Sequence, residues 1–321
     1  MAGLGASLLR IETVAYCRLR HADRNTAPYV LTLCPHIQGT DEILIHQAQT
    51  LPEIQRLDQM AAHSTTPSGP QETTVWRRWG SGPALVLLHG GSGSWNHWIR
   101  NIDALARSRT LWIPDLPGCG DSSLPPGAHD ADSIFEHVAT GIAQCSQGQP
   151  VDLVGFSFGS LVSGLIAAHH PQLVKRLILL APPALGLNRP SIGLQSLARE
   201  MNPQENERAV RHNLKRLMLH KESSIDAMAV ALHAANFARD RLRLRRLARG
   251  KIMLQLKTRW QCPVSAIWGR EDALARQEIH RLHEVLDGCD LREIRLIDDA
   301  GHWVQYEKPE AFNQALESLL Q

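Results

Sequence analysis

The segment VDLVGFSFGS sets Gly155, Ser157 and Gly159 in a G-x-S-x-G frame, directly after an apolar run and before LVSGLIAAHH, which suits a helix. A serine at the tip of such a strand-to-helix turn is held in a tight backbone conformation. Flanking glycines remove the Cβ atoms that would clash there. The hydroxyl is then exposed, and the N–H groups that open the helix favour the negative charge developing when it attacks a carbonyl. The chemistry that fits is nucleophilic attack by Ser157; the plainer alternative is a structural turn.

A serine hydroxyl attacks well only when a base within hydrogen-bond reach takes its proton. Among 16 histidines, His302 has the best position. It follows the last expected strand through DDAGHW and precedes a terminal helix, KPEAFNQALESLL, so it belongs on the sheet edge that carries the serine. His89 is the main rival, but it lies in LLHGGSG, where the glycines suggest a backbone role. His220, His233 and His280 fall in helical stretches and read as surface or packing residues. For the carboxylate that orients the base, WGRED supplies Glu271 and Asp272 just beyond another strand. Asp272 is preferred, with Glu271 as the alternative, and the chain order Ser, Asp, His suits the strand-to-helix serine. Asp298 and Asp299 stand too close to His302 in sequence to fold back onto its ring.

The oxyanion formed on attack needs two preorganised donors, each worth on the order of 3 kcal/mol. The backbone N–H of Phe158 and that of Gly91 in HGGSGS are the expected pair, with Ser92 close behind Gly91.

These side chains converge only if the elements between them form one sheet. Short β-rich runs at Thr74–Trp79, Ala84–Leu88, Thr110–Ile113, Val151–Gly155, Arg176–Leu180, Val264–Trp268 and Glu293–Ile297 alternate with runs of helical period. That alternation predicts an α/β fold with a mostly parallel central sheet flanked by helices. The sheet domain is expected over residues 73–184 and 261–321. The stretch between, 185–260, is far too long for an ordinary connection and reads as an inserted helical lid. Its most basic part, RDRLRLRRLARGK, reads as a solvated helix face with Leu242, Leu244 and Leu247 inward; an anion-binding role is the alternative. STTPSGPQE, at Ser64 to Glu72, reads as a linker. The residues before it, including strand-like Tyr29–Cys34 and helix-like Leu51–Met60, carry no motif, so 1–72 is expected to be an extension.

Composition removes other classes. With 34 Lys+Arg against 32 Asp+Glu, there is no global field to draw the chain to nucleic acid or an anionic membrane. No apolar run approaches the ~20 residues that cross a bilayer, and the opening residues lack a basic n-region and a clear cleavage site. Six scattered cysteines form no C-x-x-C pair or zinc spacing, which suits a reduced, cytoplasmic protein without metal.

HGGSGSW, DLPGCGDS, GFSFGS, WGRED and AGHW, in this order, resemble the α/β-hydrolase superfamily from about Thr73 to Gln321. The resemblance implies a serine hydrolase that needs no cofactor and acts on a small, largely apolar substrate. It also implies that Asp115, Asp121 and Ser122 of DLPGCGDS are scaffold. Within the superfamily, WGRED and AGHWVQYEKPEAFN look like the meta-cleavage-product hydrolases, which cut a carbon–carbon bond. Those enzymes usually carry Asn before the nucleophile, where this chain has Phe156. The general expectation is therefore carboxylic-ester hydrolysis, with C–C cleavage, perhydrolysis and ligand binding without catalysis as alternatives. Trp95, Trp98, Phe156, Phe158 and Trp303 flank the motifs and are expected to line an aromatic pocket under the lid.

Overall fold

A computed structural model describes residues 40–188, 190–197, 202–242 and 244–321. All seven expected strands are present, as β2 (Thr73–Trp79), β3 (Ala84–Leu88), β4 (Thr110–Pro114), β5 (Val151–Phe156), β6 (Val174–Leu180), β7 (Val264–Gly269) and β8 (Leu291–Ile297). An eighth, β1 (Ala62–Pro67), pairs antiparallel with β2 from Ala62↔Arg78 to Pro67↔Thr73. This corrects the linker reading of Ser64–Glu72. All but one of the β1 residues are exposed, so no alternation marks the strand. Its threonines suit an edge, and Pro67 ends it where a missing N–H costs little.

The strand order is β1-β2-β4-β3-β5-β6-β7-β8. β2 runs antiparallel to both neighbours, and every pair from β4 to β8 is parallel. From β3 the chain steps to one side for β4 and to the other for β5. The crevice of this α/β sheet therefore opens beyond the carboxyl ends of β3 and β5. β5 is buried along its whole length, as a strand covered by helices on both faces must be. Its one charged residue, Asp152, is neutralised by Arg109 at 2.9 Å and Arg176 at 3.4 Å.

The described residues from Thr40 to Gln321 form one compact unit, so position 72, where a boundary was expected, lies within it. The helix Pro52–Met60 is tied to β2: its Leu57 is fully buried, Trp79 Nε1 donates to the Leu57 carbonyl at 2.8 Å, and Arg77 Nε donates to Asp58 Oδ1 at 2.6 Å. The Tyr29–Cys34 segment lies outside the described residues.

Between β6 and β7 the chain forms the helices Pro203–Asn213, Ala227–Ala238 and Ile252–Leu256. The described residues of the basic stretch from Arg239, however, are irregular up to a single 3₁₀ turn at Leu247–Arg249. Its donors are engaged elsewhere: Arg241 N donates to Gly118 O at 2.8 Å, and Leu242 N to Asp240 Oδ1 at 3.1 Å. Leu242 is buried as expected, but Leu244 is 44% exposed, so no helix face exists there. Among the described residues no helix is long and apolar enough to cross a membrane.

Candidate active site

Ser157 stands between β5 and the helix Phe158–His169 with φ 48° and ψ −113°, a conformation L-residues avoid. One hydrogen bond and two close backbone approaches hold the turn. Ser157 N donates to Leu180 O at 2.8 Å, a Cβ on Gly159 would lie 2.5 Å from the carbonyls of Leu88 and His89, and one on Gly155 would lie 2.4 Å from Gly159 O. Both glycines of the G-x-S-x-G frame are thus required by close packing, which lets the helix start against the end of β3.

His302 Nε2 lies 2.9 Å from Ser157 Oγ, and His302 Nδ1 lies 2.8 Å from Asp272 Oδ2. Asp272 is buried, and its other oxygen accepts from Leu274 N at 2.8 Å. Both lone carboxylate oxygens are therefore occupied. With its proton on Nδ1 the ring donates to Asp272 and leaves Nε2 to accept from the Ser157 hydroxyl.

The loops that carry these groups are held together. A Cβ on Gly269 would lie 2.1 Å from Gly301 O, so the ends of β7 and the His302 loop approach at van der Waals limit. Glu307 caps the same loop, accepting from Gly301 N at 2.7 Å, His220 N at 2.9 Å and Lys221 N at 2.7 Å.

The rivals are placed elsewhere. His89 is buried, with Nε2 accepting from Leu116 N and Nδ1 donating to Gly90 O, each at 2.8 Å. Burial lowers its pKa, so it is a neutral strut of the loop after β3. Glu271 lines a separate cavity of about 310 Å³. Asp298 pairs with Arg270, and Asp299 with Lys221. Asp115 accepts from the N–H groups of Trp95 and Asp121, which agrees with a scaffold role for DLPGCGDS.

Among the described residues, the N–H groups of Gly91 and Phe158 donate to nothing. Phe158 opens a helix, where an orphan N–H is expected. A Cβ on neighbouring Gly90 would lie 3.4 Å from Ser157 Cβ, so the glycine loop runs beside the serine. Ser92, the alternative donor, has φ 46° and gives its hydroxyl to Asp240 Oδ2 at 2.7 Å.

A cavity of about 290 Å³ opens on Ser157 and His302. Phe156 and Phe158 line it, but Trp95, Trp98 and Trp303 do not, which corrects the expected aromatic pocket. Trp95 packs at a tilt against Trp79 beneath Arg77, Trp98 packs against Phe312, and Trp303 stacks on Tyr306. Large apolar rings next to the motifs serve the core, where they bury most surface. The cavity wall comes instead from the segment between β6 and β7, through Ile192, Leu217, Met218, Arg245 and Arg249. The Arg-rich run was the only signal in the sequence for the last two.

The profile of the "Alpha/beta hydrolase family" matches residues 85–315, and the chain belongs to that family. It is 27% identical over 255 residues to a 2-hydroxy-6-oxononadienedioate/2-hydroxy-6-oxononatrienedioate hydrolase of Cupriavidus pinatubonensis, covering 74% of this chain and 86% of that enzyme. It is 34% identical over 104 residues to a 2-hydroxymuconate semialdehyde hydrolase of Pseudomonas sp. strain CF600, but that match spans 32% of this chain and 37% of that enzyme. Among solved structures, carboxylesterase CesB of Bacillus subtilis superposes with a TM-score of 0.68 at 18% identity, covering 87% of this chain and 98% of that one. The chain is therefore a member of the α/β-hydrolase family by sequence and fold, and it spans about two fifths to two thirds of the length of the first curated relatives it matches.

Proposed function

We propose that the protein hydrolyses a small carboxylic ester by acyl transfer to water, with Ser157 as nucleophile, His302 as general base and Asp272 as the residue that orients it. The observation that carries this reading is the unbroken chain from Ser157 Oγ to His302 Nε2 at 2.9 Å and from His302 Nδ1 to Asp272 Oδ2 at 2.8 Å, mounted on a strained turn. Ser157 Oγ attacks the carbonyl carbon while its proton passes to Nε2. The N–H groups of Gly91 and Phe158 hold the oxyanion. Collapse breaks the C–O bond, and the leaving alkoxide takes the proton from His302. Water then attacks the acyl-serine, gives its proton to His302, and the acid leaves with Ser157 restored. The 290 Å³ cavity, walled by Phe156, Ile192, Leu217 and Met218, favours a compact, largely apolar acyl or alcohol part.

The likeness to the Cupriavidus enzyme, over 86% of its length, supports a second reading, cleavage of a C–C bond beside a ketone on the same residues. Turnover of p-nitrophenyl acetate that disappears in Ser157→Ala, together with labelling of Ser157 by a fluorophosphonate, is expected. Turnover of a ring-fission dienoate at a kcat/KM far above that of any ester would replace the first reading by the second. Ligand binding with no labelling and no turnover would remove both.

A further inference from the structure

Five arginines of the basic stretch are described, and their surroundings sort them into separate jobs. Arg239 pairs with Asp121 of the DLPGCGDS turn. Arg241 donates to the carbonyls of Gly120 at 3.0 Å and Ser122 at 2.5 Å. Both fasten the irregular backbone to the sheet domain. Arg246 is exposed and lines no part of the active cavity, whereas Arg245 and Arg249 line the cavity that holds Ser157. The remaining residue of the run, Arg243, lies outside the described residues.

Arg245 is the inner of the pair. One terminal nitrogen donates to Asp240 Oδ2 at 2.6 Å, its guanidinium carbon lies 5.2 Å from the Phe158 ring centre, and a Cβ on Gly91 would lie 2.9 Å from its Nε. The guanidinium thus sits beside the oxyanion donors. Asp240, only 6% exposed at its side chain, also accepts from Ser92 Oγ at 2.7 Å, so one carboxylate aims the arginine and pins the loop. Arg249 stands one turn further out, exposed at the rim, and among the described residues it makes no ion pair or side-chain hydrogen bond. No aspartate or glutamate lines this cavity. Asp240 balances the charge of Arg245, so the uncompensated guanidinium on this otherwise apolar lining is that of Arg249, whose field the low-dielectric wall focuses.

We infer that the substrate carries a carboxylate, which Arg249 binds at the mouth of the cavity and Arg245 attracts from within, while its ester carbonyl reaches Ser157. The inference rests on the acyl-transfer reading and narrows it, from small esters in general to monoesters and acyloxy acids that keep one negative charge. Guanidinium suits this task because its planar fork meets a carboxylate with two parallel N–H groups.

The test uses matched substrates that differ only in charge. Monomethyl glutarate is set against its primary amide, which places the charge on the acyl side. 3-Acetoxybenzoate is set against 3-acetoxybenzamide, which places it on the leaving group. The measured quantity is the ratio of kcat/KM, anionic over neutral, in the wild type and in Arg249→Gln, Arg249→Lys and Arg245→Gln; a ratio cancels any change in the folded fraction. One charge-assisted hydrogen bond corresponds to about tenfold. The wild-type ratio should exceed one in at least one pair by about that factor, fall by about tenfold in Arg249→Gln, fall in Arg245→Gln, and be partly kept in Arg249→Lys. A wild-type ratio near or below one in both pairs, or a ratio unchanged in both glutamine variants, overturns the inference while leaving ester hydrolysis intact. If no ester is turned over, the acyl-transfer reading itself has failed. The charge site is then judged by titrating Ser157→Ala with 3-hydroxybenzoate and 3-hydroxybenzamide: tighter binding of the acid that is lost in the added Arg249→Gln change supports it, and equal binding ends it.

Discussion

The cavity has two walls, and they are built in different ways. The wall at the carboxyl edge of the sheet is made of main chain and fixed side chains. Ser157 is strained, Gly155, Gly159 and Gly269 have no room for a Cβ, and His302 and Asp272 are both buried and bonded. The opposite wall, from between β6 and β7, is made of side chains on irregular backbone, held by arginines that reach to other loops. Chemistry needs sub-ångström placement of a few atoms, which only close-packed backbone gives. Recognition can be carried by side chains at a rim, where substitution changes what is bound before it changes what is done.

The contrast can be broken most sharply at Asp272. In Asp272→Asn an amide N–H can face His302 Nδ1 and impose the wrong tautomer, so kcat should fall by about 10⁴-fold with thermal stability little changed; a loss of less than tenfold would show that Asp272 does not set the tautomer. Gly159→Ala attacks the same wall through packing. Its Cβ would lie 2.5 Å from two carbonyl oxygens, and a stability loss of about 3 kcal/mol in denaturant titration is expected. A variant as stable as wild type would mean that the helix start can retreat from β3.

Asp240→Asn tests the joint between the walls. Ser92 and Arg245 both donate to Asp240 Oδ2, so kcat on a neutral ester should drop by about tenfold. Ser92→Ala added to it should cost less than it costs alone, and full additivity would separate the two contacts. A change spread over pH concerns His89 and His97, buried behind the first wall, and half-buried His233 on the helix Ala227–Ala238 of the opposite one. Burial lowers the pKa of His89 and His97, and brings that of His233 down to about 4 from an ordinary 6.5. A histidine whose folded pKa is depressed gives its stability in full above 6.5 and loses it as the pH falls. Unfolding free energy should therefore decline between pH 6.5 and 4 by about 1 kcal/mol per pH unit for His233, with His89 and His97 acting in the same direction. His233→Gln should flatten that slope, and a slope identical to wild type would mean that the ring is not buried.

The first wall was legible in the sequence because its residues are tied to strand ends. Ser157, His302 and Asp272 each follow an apolar run, and the runs at Ala84–Leu88 and Val264–Trp268 agree with β3 and β7 to within one residue. What escaped did so for stated reasons. β1 is an exposed edge strand and has no apolar alternation to read. The tryptophans beside the motifs were indistinguishable from pocket residues until their packing partners were known. The run from Arg239 to Lys251 has the composition of a helix, but Gly118, distant in sequence, captures the Arg241 N–H, and the side chain of Asp240 captures that of Leu242.

The sequence alone determined seven of the eight strands, the glycine-framed serine turn and the order in which serine, acid and histidine occur. These depend on local backbone geometry and on apolar period, which neighbouring residues dictate. Only the tertiary structure decided which rings reach the cavity, which arginines face Ser157 and which are spent on other loops. Those are outcomes of side chains meeting across long separations, and no local pattern encodes them.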